Sequence, residues 1–525
     1  MKAFKILVLL LGVSLSITAQ KSELNDLNFM VSPKIPSHQK ETLERMISEE
    51  IKKRTGFESH ALKNWKTKDP VLAVVLLTDE KLYGKKIPTF SSSDQVKIKP
   101  EGFRLFVEKD SKTIWVVGAD VRGALFGIGE LLRTADMTQG KIMLTNELDI
   151  ISAPEYSLRG HQLGYRNTAN SWDKWTPEQF DQYIRELALF GTNSIEDIPF
   201  QKVEQSVKMI MPHKEMHPKI SQICDNYDLE YWVWTPATGD LSNDSIRQSE
   251  LKLHEEFYKS VPRLDGIFFP GGDPGHNHPK DVMPHLKSIA QLLKKYHPDA
   301  GVWISLQGFD REKVMYFFDY LKEHDPDWLT GVGYGPSSPP IDLERKMLPK
   351  KYKHRLYGDL THTVRCQYPT ENWDQALAMT LGREAPNPQP YYYAKVFRQE
   401  APFIDGFLSY SDGAHDDVNK VIWSQVAWDT NKNVRDIVME YCRFFFGVET
   451  AADGILALEK NWDGSLIENG SVEATLTYWK QLESDHPELQ DNWRWQLLVI
   501  RAYYDAYIRH KLIYEKSLEK VAYQK

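Results

Sequence analysis

The residues of this chain best placed for chemistry are carboxylates that end short apolar runs. The run Ile267-Phe268-Phe269 breaks into Pro270-Gly271-Gly272-Asp273-Pro274-Gly275-His276. Glycine freedom there lets the backbone turn sharply and hold a carboxylate at the turn, although Asp before Pro-Gly is also a common turn former. Three more apolar runs end in acids: Asn193-Ser-Ile-Glu196-Asp197, a stretch closing on Asp359-Leu-Thr-His362-Thr-Val-Arg365, and Tyr410-Ser-Asp412-Gly-Ala-His415. Recurring carboxyl groups suit proton transfer and nucleophilic attack. Hydrolysis of a glycosidic bond uses two of them, about 5 Å apart for retention of configuration and roughly 6.5 to 9.5 Å for inversion. The expected assignment is Asp273 as acid and Asp412 or Asp359 as base or nucleophile, with Glu196 bordering the same cavity. Asp416 and Asp417 read instead as acids favouring a helix N-terminus.

Polar and aromatic side chains cluster at the same run ends. His161, Tyr165, Arg166, Asn193, Trp234, His276, Gln307, Tyr334, His362, Arg365 and His415 are the expected substrate contacts. Arginine forks match carboxylates, so Arg166 is read as a contact for an acidic ligand group and Arg159 as a structural ion pair. Asp273, His276, His278 and His415 also offer metal-ligand chemistry. The His-Asn-His spacing is weak evidence for it, and histidines in polar loops serve equally to bind hydroxyl groups, so no metal and no other cofactor is expected.

The elements that must position these groups follow from periodicity. Short apolar strands begin near Tyr156, Asn193, Tyr231, Gly266, Gly301, Thr330, Arg355 and Gly406, with amphipathic helical stretches such as 177–190, 280–296 and 311–323 between them. Eight strand-helix units in about 280 residues predict a (β/α)8 barrel over 155–433, whose functional groups sit at the carboxyl ends of its strands. A doubly wound sheet is the alternative, but no glycine-rich phosphate loop follows the first strand. Upstream, residues 24–151 read as a small α+β domain: a helix from Glu41, a strand from Val71, two strands around a polar turn, and a helix over 123–132 with small residues on one face. Residues 434–525 read as helical, with Trp462, Trp479, Trp493 and Trp495 among charges.

Composition narrows the class of ligand. The 525 residues carry a formal charge of −8 and no basic run, which excludes the phosphate-neutralising surface that nucleic acid requires. Aromatics make up 12% of the chain, with 15 Trp and 25 Tyr; their flat faces suit either sugar rings or large cores. Residues 1–19 have the basic start, short apolar core and small residues of a cleavable secretory leader, so a secreted or periplasmic protein is expected. That core is about ten residues, where a membrane span needs roughly twenty. The three cysteines, Cys224, Cys366 and Cys442, are too scattered for a disulfide framework. Oligomeric state is left open.

Together with Glu101-Gly-Phe-Arg-Leu and the segment Ile114 to Gly127, the motifs at Gly271–His276 and Tyr410–Lys420 resemble the α-glucuronidase and β-N-acetylhexosaminidase group of glycoside hydrolases. The resemblance covers about residues 30 to 440. It implies a small α+β domain before a catalytic barrel, and a substrate ending in a uronic acid or an N-acetylhexosamine. The chain departs from both patterns. In the hexosaminidases the strand-four motif is Gly-Gly-Asp-Glu, with Glu as general acid, whereas Pro274 stands there; in the inverting α-glucuronidases that acid is Glu, and the matching positions here are Asp273, Asp359 and Asp412. Exo-acting hydrolysis is the leading expectation. Endo-acting cleavage of N-acetylglucosamine-containing glycans and a noncatalytic glycan-binding barrel are the alternatives.

Overall fold

The computed structural model describes residues 21–88, 98–108, 112–145, 147–164, 172–200, 210–360, 386–410 and 413–524. The leader segment lies outside them. So do Tyr165, Arg166, His362, Arg365 and Asp412 among the expected site residues, and Cys366.

The amino-terminal part is an α+β unit. Strands β1 (Lys21–Leu24), β8 (Asp136–Thr138) and β9 (Lys141–Thr145) form a small antiparallel sheet, and β4 (Lys81–Leu82) pairs with β5 (Lys85–Lys86). The main sheet takes the order β10-β6-β7-β3-β2 from β2 (Asn28–Val31), β3 (Val71–Leu76), β6 (Phe103–Glu108), β7 (Thr113–Gly118) and β10 (Asp149–Ser152). Its interior strand β3, between β7 and β2, reads Val-Leu-Ala-Val-Val-Leu, a continuous apolar run that suits burial on both faces. Helices α1 (Ser37–Thr55) and α2 (Val121–Thr134) belong to this unit. Asp120 caps α2 by accepting the Gly123 N–H at 2.8 Å. The small residues of α2 let it lie against the sheet, since a methyl group at Gly127 would come within 2.6 Å of Val116 Cγ1.

Eight parallel strands then close a barrel: β11 (Leu158–Gln162), β12 (Ser194–Asp197), β13 (Glu230–Trp234), β14 (Gly266–Phe269), β15 (Gly301–Ser305), β16 (Gly331–Tyr334), β17 (Lys353–Leu356) and β18 (Gly406–Ser409). Around it run α3 (Pro177–Leu189), α4 (His213–Asn226), α5 (Asp244–Ser260), α6 (Pro279–Tyr296), α7 (Arg311–His324), α8 (Ile341–Met347), α9 (Pro390–Glu400) and α10 (Asp417–Trp428). The carboxyl-terminal helices are α11 (Val434–Phe446), α12 (Ala451–Lys460), α13 (Ser471–Asp485) and α14 (Trp493–Tyr523). Among the described residues no helix is long and apolar enough to cross a membrane.

The barrel interior departs from the branched aliphatic filling usual in this fold. Leu158, Trp232, Trp234, Phe268, Trp303, Tyr357 and Leu408 form one inward cluster. Glycines on neighbouring strands make room for the large rings. A methyl group at Gly266 would stand 2.6 Å from Trp232, one at Gly331 2.5 Å from Trp303, and one at Gly333 2.8 Å from Phe268.

At the amino end of the barrel, Glu101 of the first unit reaches beneath the strands. Its carboxylate takes hydrogen bonds from Arg159 Nη2 at 2.8 Å, Asn193 Nδ2 at 3.0 Å and Arg122 Nη1 at 2.7 Å. Arg159 is therefore the ion-paired residue anticipated. Asn193 precedes the first residue of β12 and belongs to this junction, at the end opposite the mouth. This corrects its assignment as a substrate contact.

Candidate active site

At the carboxyl end of β14 the chain turns through Gly271, whose φ of 67° favours glycine and where a methyl group would sit 2.4 Å from Ser305 O. The loop is fastened on two sides. Toward β15, the Gly272 N–H donates to Gln307 O at 2.8 Å, and Gln307 Nε2 donates to Asp273 Oδ2 at 2.9 Å. Toward β13, buried Asn277 donates to Gly239 O at 2.9 Å and accepts the Leu241 N–H at 2.9 Å. Gly275, at φ 100°, lies so close to Ala237 O that a methyl group would sit 2.1 Å away. Asp273 is thus held by neighbouring strand ends rather than on a loose loop, the preorganisation that proton transfer benefits from.

Asp359 lies three residues beyond β17, abreast of Tyr410 beyond β18, with the Tyr410 N–H donating to Gly358 O at 2.8 Å. Arg355 and Tyr357 point into the barrel, and the period of two along a strand puts Asp359 on the same side. Burial, then the charges of Glu196 and Asp359, push the Tyr357 phenol well above its ordinary value. Arg355, Tyr357 and Asp359 thus form a column from barrel centre to mouth.

Glu196 stands beside that column, level in register with Trp232 of the neighbouring strand. Its carboxylate is fully buried and accepts from Gln162 Nε2 and Arg355 Nη2, each at 2.8 Å. The Tyr357 hydroxyl donates to Gln162 Oε1 at 3.2 Å, and the Arg355 guanidinium lies 4.1 Å from the Phe268 ring centroid. Burial pushes the Glu196 carboxyl up, while Arg355 and Gln162 oppose the shift. With no solvent exposure and both oxygens engaged by Gln162 and Arg355, Glu196 is a structural counter-ion, which corrects its expected place at the cavity border.

The expected contacts divide. Gln307 and Trp234 lie with Asp273 and Asp359 at the carboxyl end, and His276 is exposed on the β14 loop at φ 53°. His161 points the other way, into the layer between strands and helices, where its ring nitrogens meet Ser409 Oγ at 2.7 Å and Ser424 Oγ at 2.9 Å. Burial, with Lys420 nearby, drives its pKa well down, so it is a neutral wedge in the wall. Tyr334 also turns outward, its ring 6.4 Å from that of His354. His415 lies in the three-residue turn past β18, facing a lateral cavity. His278 caps α6 by accepting the Lys280 N–H at 3.0 Å and pairs with Glu312 at 3.2 Å. Among the described residues no group of three His, Cys, Asp or Glu is placed to hold a metal ion.

Sequence reasoning missed Gln162, Asn277, Arg355 and Tyr357. Strand parity carried the signal for the last two, which alternate with Leu356 ahead of Asp359. Nothing local in the sequence marks Asn277 as the fastener of a neighbouring loop.

No family model matches the chain, nor does any curated protein. Solved structures match throughout the fold. A family GH115 4-O-methyl-α-glucuronidase with specificity for decorated arabinogalactans aligns with a TM-score of 0.62 at 12% identity, covering 94% of this chain and 73% of that one. A family 89 glycoside hydrolase from Clostridium perfringens, in complex with a 2-acetamido dideoxynojirimycin, gives 0.54 at 12% identity over 87% of this chain and 60% of the other. A GH20 exo-β-N-acetylglucosaminidase from Vibrio harveyi gives 0.52 at 10% identity over 83% and 75%. At such identities the likeness is one of fold. This chain shares the (β/α)8 barrel fold of these glycoside hydrolases.

Proposed function

We propose that this protein is a glycoside hydrolase, exo-acting on a glycan that ends in a uronic acid or an N-acetylhexosamine, with Asp273 as the proton-transferring carboxyl. The observation that carries this reading is the double fastening of Asp273 at the end of β14, by Gln307 on one side and the Asn277-held loop on the other. Asp359 at the end of β17, or Asp412 beyond β18, supplies the second carboxyl that the reaction needs. Buried Gln307 Oε1 accepts no hydrogen bond from the protein, which fits it to receive a sugar hydroxyl. The barrel shared with a glucuronidase, an N-acetylglucosaminidase and a glycoside hydrolase that binds a 2-acetamido dideoxynojirimycin supports the substrate class. A secreted or periplasmic location accords with the leader-like residues 1–19.

Release of nitrophenol from aryl uronides and aryl N-acetylhexosaminides tests the reading. Hydrolysis of one class, abolished by Asp273→Asn, is the expected result. Cleavage only within longer N-acetylglucosamine-containing chains would replace exo by endo action. Pro274, where the hexosaminidase pattern carries its acid, favours a second reading as a glycan-binding barrel without chemistry; binding of glycans with no turnover on either panel would establish it.

A further inference from the structure

Beside the barrel mouth lies a second concavity, of about 850 Å³, between α3 and the start of α14. Its upper edge is formed by the turn past β18, at His415, and by Trp175 and Gln179 where α3 begins after β11. The cavity therefore abuts the carboxyl face of the barrel at the β18–β11 seam, next to the mouth that Asp273 and Asp359 occupy. Its volume falls within the roughly 300–1,000 Å³ of sites that enclose small ligands.

The walls are aromatic and rigidly placed. Trp175 packs edge-on against Tyr183 at 5.1 Å, and Tyr183 lies 6.3 Å from Trp493, whose indole is 36% exposed. Trp493 is positioned by its neighbour Arg494, which stacks on it at 4.2 Å. Arg494 also grips Asp417 of α10 at 2.7 Å and Glu186 of α3 at 2.8 Å. Lys53 also reaches Glu186 at 3.3 Å, and with exposed Asp491 the lining holds Lys53 and Arg494 against Glu186 and Asp491, so it offers little net field to an ionic ligand. What it does present are the indoles of Trp175 and Trp493, backed by buried Tyr183, beside the amides of Gln179 and Gln182. Flat apolar faces next to neutral hydrogen-bonding groups match a polyhydroxylated ring with C–H faces.

We infer that this cavity is an extension subsite that receives a further sugar residue of the glycan, beyond the one bound in the barrel mouth. The inference rests on the glycosidase reading for its choice of ligand, but not for its test. The test uses the full chain carrying Asp273→Asn, titrated by tryptophan fluorescence and saturation-transfer NMR. The probes are glucuronoxylan oligosaccharides, arabinogalactan oligosaccharides and chitotriose, each beside the monosaccharide at its terminus. At least one oligosaccharide should bind about tenfold or more tightly than its terminal monosaccharide, a difference of about 1.4 kcal/mol. Trp493→Ala should erase that gain. Ile500→Asp, at a lining position 60% exposed and so neutral to folding, should reduce it. No gain for any oligosaccharide, or a gain that survives both substitutions, would overturn the subsite. Turnover of aryl glycosides without a Trp493-dependent gain would leave the glycosidase standing and remove the subsite; Trp493-dependent binding without turnover would do the reverse.

Discussion

Gln307 Nε2 donates a 2.9 Å hydrogen bond to Asp273 Oδ2, joining the ends of the adjacent strands β15 and β14 at the barrel mouth. The carboxylate is held by an amide that is itself part of a strand end, and the first predictions follow from that pairing.

Asp273→Asn removes a transferable proton and keeps the shape of the side chain. Turnover should fall by about 10²–10⁴-fold, the usual contribution of general acid-base catalysis, with the melting temperature little changed. Rates near those of the unaltered protein would take Asp273 out of the chemistry.

Gln307→Ala leaves Asp273 ionisable but frees its orientation. A positioning role predicts that kcat drops by about tenfold or more, within the losses that small misplacements of reacting groups cause, and that Gln307→Asn restores less than full activity because its amide is one methylene short. An unchanged kcat with raised KM would instead make Gln307 a simple substrate contact.

Glu196→Ala should act on stability first. Removing one partner of a buried ion pair leaves Arg355 uncompensated within the aromatic layer, at a cost of about 3–5 kcal/mol, measurable by urea denaturation. A stable but inactive variant would return Glu196 to the list of catalytic groups.

Glu459 on α12 accepts the backbone N–H groups of Tyr391 at 3.1 Å and Tyr392 at 2.8 Å, where α9 begins. Burial pushes its carboxyl up to about 7, against those hydrogen bonds and Lys460. A carboxyl that holds its proton more tightly when folded contributes stability below its ordinary value of 4.5, and that contribution is lost as pH rises through about 7. The stability of Glu459→Gln relative to the unaltered protein should therefore climb across this window. A flat difference in urea melts from pH 4.5 to 7 would refute the shift.

Chelation should leave turnover unchanged, because paired carboxyl groups suffice for glycoside hydrolysis and His278 is occupied with the α6 cap and Glu312. Loss of activity in EDTA, restored by zinc, would require a metal-dependent mechanism.

The barrel was legible from sequence because its signal is repeated. Each expected strand start lies within two residues of the observed one, since apolar runs and glycine-rich breaks recur with the units. The turn that carries Asp273 was legible for a similar reason, as its flanking glycines announce a break at a strand end. The direction of individual side chains was less so. His161 and Gln162 are adjacent on β11, and only the closed sheet decides that Gln162 faces the interior while His161 meets Ser409 and Ser424. Asn193 and Glu196 sit in one four-residue stretch, yet one seals the amino end and the other neutralises Arg355 inside the barrel. Such roles depend on partners such as Glu101 and Arg355, which are 92 and 159 positions distant.

The reach of Glu101 beneath the strands bears on how modular this protein is. Arg159 has no solvent exposure and finds its counter-charge in a residue some sixty positions earlier, outside the barrel altogether. Cutting the chain at the Ser-Ala-Pro-Glu linker would strip a buried cation of its counter-charge and leave the Asn193 amide with Ser157 O alone of its two acceptors. The amino-terminal unit is therefore the base plate on which the barrel stands rather than a detachable accessory. Shuffling or trimming that separates the two would be expected to cost the barrel its integrity before it altered any chemistry at the mouth.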